Sequence, residues 1–396
     1  MFRDRLKRLS RASLLRGIRD RHLSPHPPLP PCSRIFIDGR EYLNFASNDY
    51  LGLAAHPRVM EAAAKAIALY GFGTGASRLL SGGTALHAEL EKAIASYKGT
   101  EAALLFNSGY AANVSAIPSV AVENDIIFSD ELNHASIIDG CRLSRARTVI
   151  YRHGDTEHLA KLLEAEQGNR KIIVTDTVFS MDGDIAPLNR IYELCRQHNA
   201  AGPDDAGNFR MLLYIDDAHG TGVLGGGKGC LAHFDLQPEP WLIQMGTFSK
   251  ALGSMGAFIA SDKDTIDWLI NTGRGFMYST ALPACAVAAS LRALQLVQEE
   301  PSLLARLWHN RERLFTGLQA LGLDTLQSRT PILPVAVSSS EEALRVAEQL
   351  AERGIYAPAI RPPTVEIPRL RLTVTAGHSD EDIDTLLEAL REIIKG

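Results

Sequence analysis

The chain has 396 residues, 45% hydrophobic and 22% charged, with no apolar run approaching the ~18 residues of a membrane span, so disorder and membrane insertion are excluded. Its 41 basic and 46 acidic side chains leave a net charge of −5, which argues against a protein held to nucleic acid by its overall field. Five scattered cysteines, Cys32, Cys141, Cys195, Cys230 and Cys285, never spaced Cys-x-x-Cys, point to neither a disulfide framework nor a zinc cluster and fit a reducing cytoplasm.

In chain order, residues 1–21 carry eight basic side chains, Arg19 among them, with Phe2, Leu6, Leu9, Leu14 and Ile18 at near-helical spacing. This predicts an amphipathic helix docked on the fold, a reading favoured over a transit peptide of the same pattern. Prolines 25, 27, 28, 30 and 31 then impose an extended spacer. Apolar, β-branched runs at 102–106, 126–128, 148–151, 171–175, 212–215, 242–245 and 257–260 read as strands buried on both faces, in a mainly parallel seven-stranded sheet sandwiched by helices. Residues 202–208 read as an exposed loop. Helices at 283–300 and 302–321, strands at 332–337 and 369–374, and helices at 341–353 and 380–395 predict a smaller α+β domain. The expected divisions are an N-terminal helix and arm, 1–50, a large domain, 51–285, and a small domain, 286–396.

In such sheets ligands sit beyond the carboxyl ends of the strands. After the first predicted strand, Ser108, Gly109 and Tyr110 open a helix whose N–H groups suit a phosphate. The segment Tyr214 to Gly220 places Asp216, Asp217 and His219 at a strand end, a pattern that turn chemistry also produces. Gly222 to Lys228 has the spacing of a phosphate-binding loop, but Gly229 stands where a hydroxyl is needed, so these glycines read as a flexible loop. His153 and His158 fit no metal template, and no metal is expected; Arg142, Arg145, Arg147 and Arg152 read as a solvated face. The strongest signal is Thr247 to Gly256. There Lys250 lies among small, apolar and hydroxyl-bearing neighbours that would desolvate its amine and favour a Schiff base.

The segments Asn44 to Leu53, Asn133 to Ser136, Val178 to Asp184, Asp216 to Gly222 and Thr247 to Gly256, with Ala359 to Thr364 and Arg369 to Thr373, resemble the α-oxoamine synthases over about residues 35–390. The resemblance implies an α/β pyridoxal-phosphate transferase of fold type I. It implies that Lys250 carries pyridoxal 5'-phosphate, that Asp216 pairs with the pyridine nitrogen, and that His134 stacks on the ring. Ser180 and His219 would bond near the phenolic oxygen. Ser108, Gly109, Tyr110, Thr247, Ser249 and Thr280 would serve the phosphate region, with Thr280 reaching the neighbouring chain's site in a homodimer. Asn48 and Arg371 would hold the amino acid carboxylate, Thr364 the acyl substrate, and Arg19 the distal carboxylate of a pimeloyl chain. The branch most closely resembled condenses L-alanine with a pimeloyl thioester of coenzyme A or an acyl carrier protein. The alternative is a branch that joins glycine to acetyl- or succinyl-CoA. The four residues between Thr364 and Arg369 are fewer than the family usually has there.

Overall fold

The computed structural model describes residues 2–11, 14, 15, 17, 18, 20, 32–205 and 207–395. The elements begin with α1 (Phe2–Arg11), β1 (Arg34–Ile37), β2 (Arg40–Asn44), α2 (Pro57–Tyr70), α3 (Ala85–Lys98), β3 (Ala102–Phe106), α4 (Gly109–Val120), β4 (Ile126–Asp130), α5 (Ala135–Leu143) and β5 (Arg147–Tyr151). They continue with α6 (Thr156–Ala165), β6 (Lys171–Asp176), α7 (Leu188–His198), β7 (Met211–Asp216), α8 (Cys230–His233), β8 (Leu242–Thr247), β9 (Ala257–Ser261), α9 (Lys263–Thr272) and α10 (Arg274–Met277). The last are α11 (Ala284–Glu299), α12 (Pro301–Ala320), β10 (Ile332–Ala336), α13 (Ser340–Glu352), β11 (Ile355–Tyr356), β12 (Ala359–Ile360), β13 (Arg369–Thr373) and α14 (Asp380–Lys395).

The chain divides into two compact units, one of Met1–Ala55, Ser180–Asp184 and Ser302–Gly396, the other of His56–Phe179 and Ile185–Pro301. The larger unit holds a seven-stranded sheet in the order β3-β9-β8-β7-β6-β4-β5. Every neighbouring pair is parallel except those made by β9. All residues of β4, β8 and β9 are buried, as continuous apolar strands covered on both faces must be. Register places Asp176 directly beside Asp216 and Asp216 beside Met245. Two carboxyls therefore end neighbouring strands at the same level.

The smaller unit has two three-stranded sheets, β1-β2-β11 and β10-β13-β12. Its core gathers Phe45, Leu333, Leu370, Leu372, Leu386 and Leu390. The N-terminal arm enters this unit through β2, which pairs in parallel with β11.

The structure departs from the sequence reading in three places. The first helix ends at Arg11, where the N–H groups of Leu14 and Leu15 both turn back to Leu9 O, and its side chains 2–10 are exposed rather than docked. The strands β1 and β2 and the helices α2 and α3 were not anticipated. Of these, α2 is Ala-rich, α3 has a weak apolar stripe, and β1 and β2 each begin with arginine. The glycines at 222–229 are packed, not flexible: Gly222, Gly227 and Gly229 are buried.

Candidate active site

In the larger unit the carboxyl ends of β3, β4, β6, β7 and β8 deliver Ser108, His134, Asp176, Asp216 and Thr247. Asp216 is 4% exposed. Its Oδ2 accepts a hydrogen bond from Asn113 Nδ2 at 2.8 Å, and its Oδ1 accepts the N–H of Ala218 at 3.0 Å. Asn113 lies one turn into α4; its amide also donates to Ser136 Oγ at 2.8 Å and accepts from Tyr214 OH at 2.7 Å. Ser136 Oγ in turn lies 2.7 Å from His134 Nδ1. The carboxyl and the imidazole are thus the two ends of one network running through Asn113 and Ser136.

Lys250 acts electrostatically on Asp216, Asp176 and His134 alike. Burial pushes the Asp216 carboxyl above its ordinary value, with the Lys250 charge and the Asn113 hydrogen bond opposing. Asp176 is pushed up by burial and then by the Asp216 charge, while the His134 N–H, 2.6 Å from its Oδ2, and Lys250 act the other way. His134 is held below the usual imidazole value by desolvation, against the Asp216 charge and in line with the Lys250 charge.

Lys250 follows β8 in a loop closed by Phe248 N to Gly256 O and Gly253 N to Lys250 O. Thr247 Oγ1 donates to Gly256 O at 2.8 Å and meets Ser249 Oγ at 2.8 Å. Gly256 has φ +99°, and a Cβ there would stand 2.6 Å from Leu282 Cδ1, so the return into β9 requires glycine. Across the sheet, Ser108 caps α4 by accepting the N–H of Ala111 at 3.1 Å. The N–H groups of Gly109 and Tyr110, in the first turn, lie outside the helical ladder and suit an anion. Tyr110 OH donates to Asp139 Oδ2 at 2.5 Å. His219 is buried in the turn after Asp216. Thr280 is exposed, its carbonyl accepting from Asn107 Nδ2 at 2.7 Å.

The smaller unit brings Asn48, Ser180 and Arg371 together. Arg371 is 6% exposed; it donates to Ser180 O at 2.6 Å, Thr373 Oγ1 at 3.0 Å and Asn48 Oδ1 at 3.2 Å. Thr364 lines an open cavity of about 670 Å3 with Leu14, Ile18, Met181, Ile360 and Arg361. Arg19 lies outside the described residues. Sequence reasoning missed Asn113, Ser136 and Asp176. Asn113 had a usable signal, its place one turn after Gly109 on the inner side of the same helix. Among the described residues no group of His, Cys, Asp and Glu is arranged to hold a metal, and no helix is long and apolar enough to cross a membrane.

The donor set fits pyridoxal phosphate. A buried carboxyl would suit a pyridine N–H, an amine an aldehyde, and hydroxyls with a helix N-terminus a phosphate. The family model of aminotransferase class I and II matches residues 40–390, and the chain belongs to that family of pyridoxal-phosphate enzymes. An 8-amino-7-oxononanoate synthase of Thermoanaerobacter pseudethanolicus is 44% identical over 399 residues, covering 100% of this chain and 96% of the relative. A protein of Thermodesulfovibrio yellowstonii, provisionally given the same name, is 52% identical over 391 residues, covering 98% of this chain and 96% of its own. Among solved structures, a serine palmitoyltransferase variant from S. paucimobilis with a bound pyridoxal phosphate–myriocin adduct superposes with a TM-score of 0.90. It is 27% identical, and the match covers 100% of this chain and 96% of that one.

Proposed function

We propose that the enzyme joins L-alanine to a pimeloyl thioester, forming a carbon–carbon bond and releasing CO2 and the thiol, to give 8-amino-7-oxononanoate for biotin synthesis. The observation that carries this reading is the grouping of Lys250, Asp216 and His134 at the strand ends of one unit, in a chain whose relatives bear that synthase name. Pyridoxal phosphate supplies an electron sink for the negative charge that develops at the amino acid Cα.

The chain's own residues do the rest. Asp216 holds a proton at the pyridine nitrogen, and the Asn113 and Ala218 hydrogen bonds fix its two oxygens. Lys250 would hold the cofactor's aldehyde carbon through its amine and would take the Cα proton of alanine. His134 would stack on the ring and donate to the thioester carbonyl, while Ser180 and His219 would bond near the phenolic oxygen. Ser108, Gly109, Tyr110, Thr247 and Ser249 receive the phosphate. Asn48 and Arg371 hold the alanine carboxylate, whose two oxygens suit the guanidinium fork. Thr364 contacts the acyl chain and Arg19 its distal carboxylate. Two copies of the chain form the working enzyme, with Thr280 reaching the partner's phosphate, and the compartment is the cytoplasm.

The deciding experiment offers the purified enzyme each amino acid and thioester pair and follows thiol and CO2. L-alanine with pimeloyl-CoA or pimeloyl carrier protein is expected to release both in equal amounts. Turnover confined to glycine with acetyl- or succinyl-CoA overturns the assignment.

A further inference from the structure

Behind the strand ends lies a second charged pair for which the reaction as proposed has no use. Lys98, the last residue of α3, and Asp217 are each 1% exposed at the side chain, with Nζ 2.8 Å from Oδ2. The three protons of the ammonium go to Asp217, to Lys228 O at 2.8 Å and to Thr221 Oγ1 at 3.3 Å. Asp217 is equally complete, because Oδ2 also accepts from Thr221 Oγ1 at 2.9 Å, and Oδ1 accepts from Thr177 Oγ1 at 2.7 Å and Cys230 N at 3.1 Å. The packed glycines make room for the pair. A Cβ at Gly220 would stand 2.1 Å from Asp217 Oδ1, and one at Gly229 would stand 1.9 Å from Oδ2 and 2.7 Å from Lys98 Nζ.

A buried ion pair contributes little net stability once its desolvation is counted, so its presence calls for another reason. Its neighbours provide one. Asp217 directly follows Asp216, and the turn it opens carries His219: the N–H groups of Gly220 and Thr221 both return to Asp217 O. The N–H that holds Asp216 Oδ1 belongs to Ala218 in that same turn. Thr177 grips both residues, its N–H donating to Asp216 O at 2.9 Å and its hydroxyl to the Asp217 carboxylate. The Lys98 charge also cancels a carboxylate that would otherwise stand, unpaired and buried, beside Asp216.

We infer that Lys98 is a positioning residue for the cofactor: through Asp217 and Thr177 it fixes the turn that aims Asp216 and His219, and it leaves Asp216 as the one carboxylate whose charge the cofactor meets on that strand. The inference rests on the cofactor and not on the choice of acyl donor.

Lys98→Met alone strands a buried carboxylate, so the informative variant is Lys98→Met with Asp217→Asn, which removes both charges at similar volume. Apo-protein of this variant is expected to bind pyridoxal phosphate about tenfold more weakly, the equivalent of one oriented charge-assisted hydrogen bond. The pH midpoint of the holoenzyme's visible absorbance is expected to move, and kcat to fall about tenfold while KM for alanine stays within about twofold. A second pair keeps the charges: Thr177→Val is expected to lower cofactor affinity in the same sense, and Thr177→Ser, which retains the hydroxyl, to restore it. Lower thermal stability with unchanged cofactor affinity, absorbance midpoint and kcat would make the pair purely structural and overturn the inference. The affinity and absorbance need no acyl substrate, so they stand even if the proposed thioester is wrong.

Discussion

Asp216 and Arg371 show how one side chain's surroundings set what it can do. Asp216 is buried, with its two oxygens oriented by Asn113 and Ala218, and under the proposed function its remaining hydrogen-bonding capacity would serve the cofactor. Asp216→Asn retains the shape but loses the charge that, in the proposed role, would keep a proton on the pyridine nitrogen. Exchange of the alanine Cα proton, followed by NMR in deuterium oxide, is expected to slow about ten- to a hundredfold, the rate equivalent of a charge-assisted hydrogen bond. Cofactor should still bind, and unchanged exchange would refute the assignment. Arg371 spends three of its N–H directions on Ser180, Thr373 and Asn48. A lysine has no planar fork to reproduce them. Arg371→Lys is expected to raise KM for alanine about tenfold or more, with the cofactor spectrum unaltered, as steady-state kinetics would measure.

At the scale of elements, the turn joining β7 to α8 is the least forgiving segment, because its backbone wraps a charged pair. Two of its glycines separate conformational cost from crowding. Gly226 has φ +65° with nothing within 4 Å of a would-be Cβ, whereas Gly229 has φ +109° and the Asp217 carboxylate in that space. Gly226→Ala is expected to cost about 1 kcal/mol. Gly229→Ala is expected to cost about 3 kcal/mol or more, since either the buried pair or the backbone must shift. Urea unfolding midpoints of the two variants test the contrast, and equal midpoints would contradict the packing described for the turn. The glycine spacing in the sequence resembles a nucleotide loop, but what it accommodates is an ammonium and a carboxylate of the chain itself.

For the whole molecule, pH links both units to stability. His378, buried against Phe45 with ring centroids 4.3 Å apart, has its pKa pushed down by burial to about 4, and His87 is likewise held at about 4. Between these values and the ordinary 6.5 the unfolded chain binds the protons that the folded chain refuses. Stability is therefore full above pH 6.5 and falls as pH drops toward 4, at about 1.4 kcal/mol per pH unit for each histidine. The raised Asp176 and Asp216 act with the opposite sign in the larger unit. His378→Phe in the smaller unit is expected to flatten the acid limb of a melting-temperature profile, whatever it costs at pH 7; an unchanged slope would refute the link. Assembly is tested with mixed dimers. In hybrids of Lys250→Ala and Thr280→Ala chains, one site should carry both defects and the other neither. One defect in each site would mean that Thr280 serves its own chain.

The amino-acid sequence by itself determined the parallel sheet, because strands buried on both faces must be apolar throughout. It singled out Lys250 after β8 as the proposed cofactor lysine too, because a cation among small and hydroxyl-bearing neighbours after a strand suggests a desolvated amine. Asn48 and Arg371, 323 positions apart, were paired through a family resemblance, and the structure places them 3.2 Å apart. Tertiary structure alone decided the links that join distant side chains with no local pattern. Asn113 reaches Asp216 across 103 positions, Lys98 reaches Asp217 across 119, and the His134 N–H reaches Asp176 across 42. Periodicity reports which face of an element is buried, but not which polar group meets another there. That depends on strand order and register, and it is register that sets Asp176 beside Asp216.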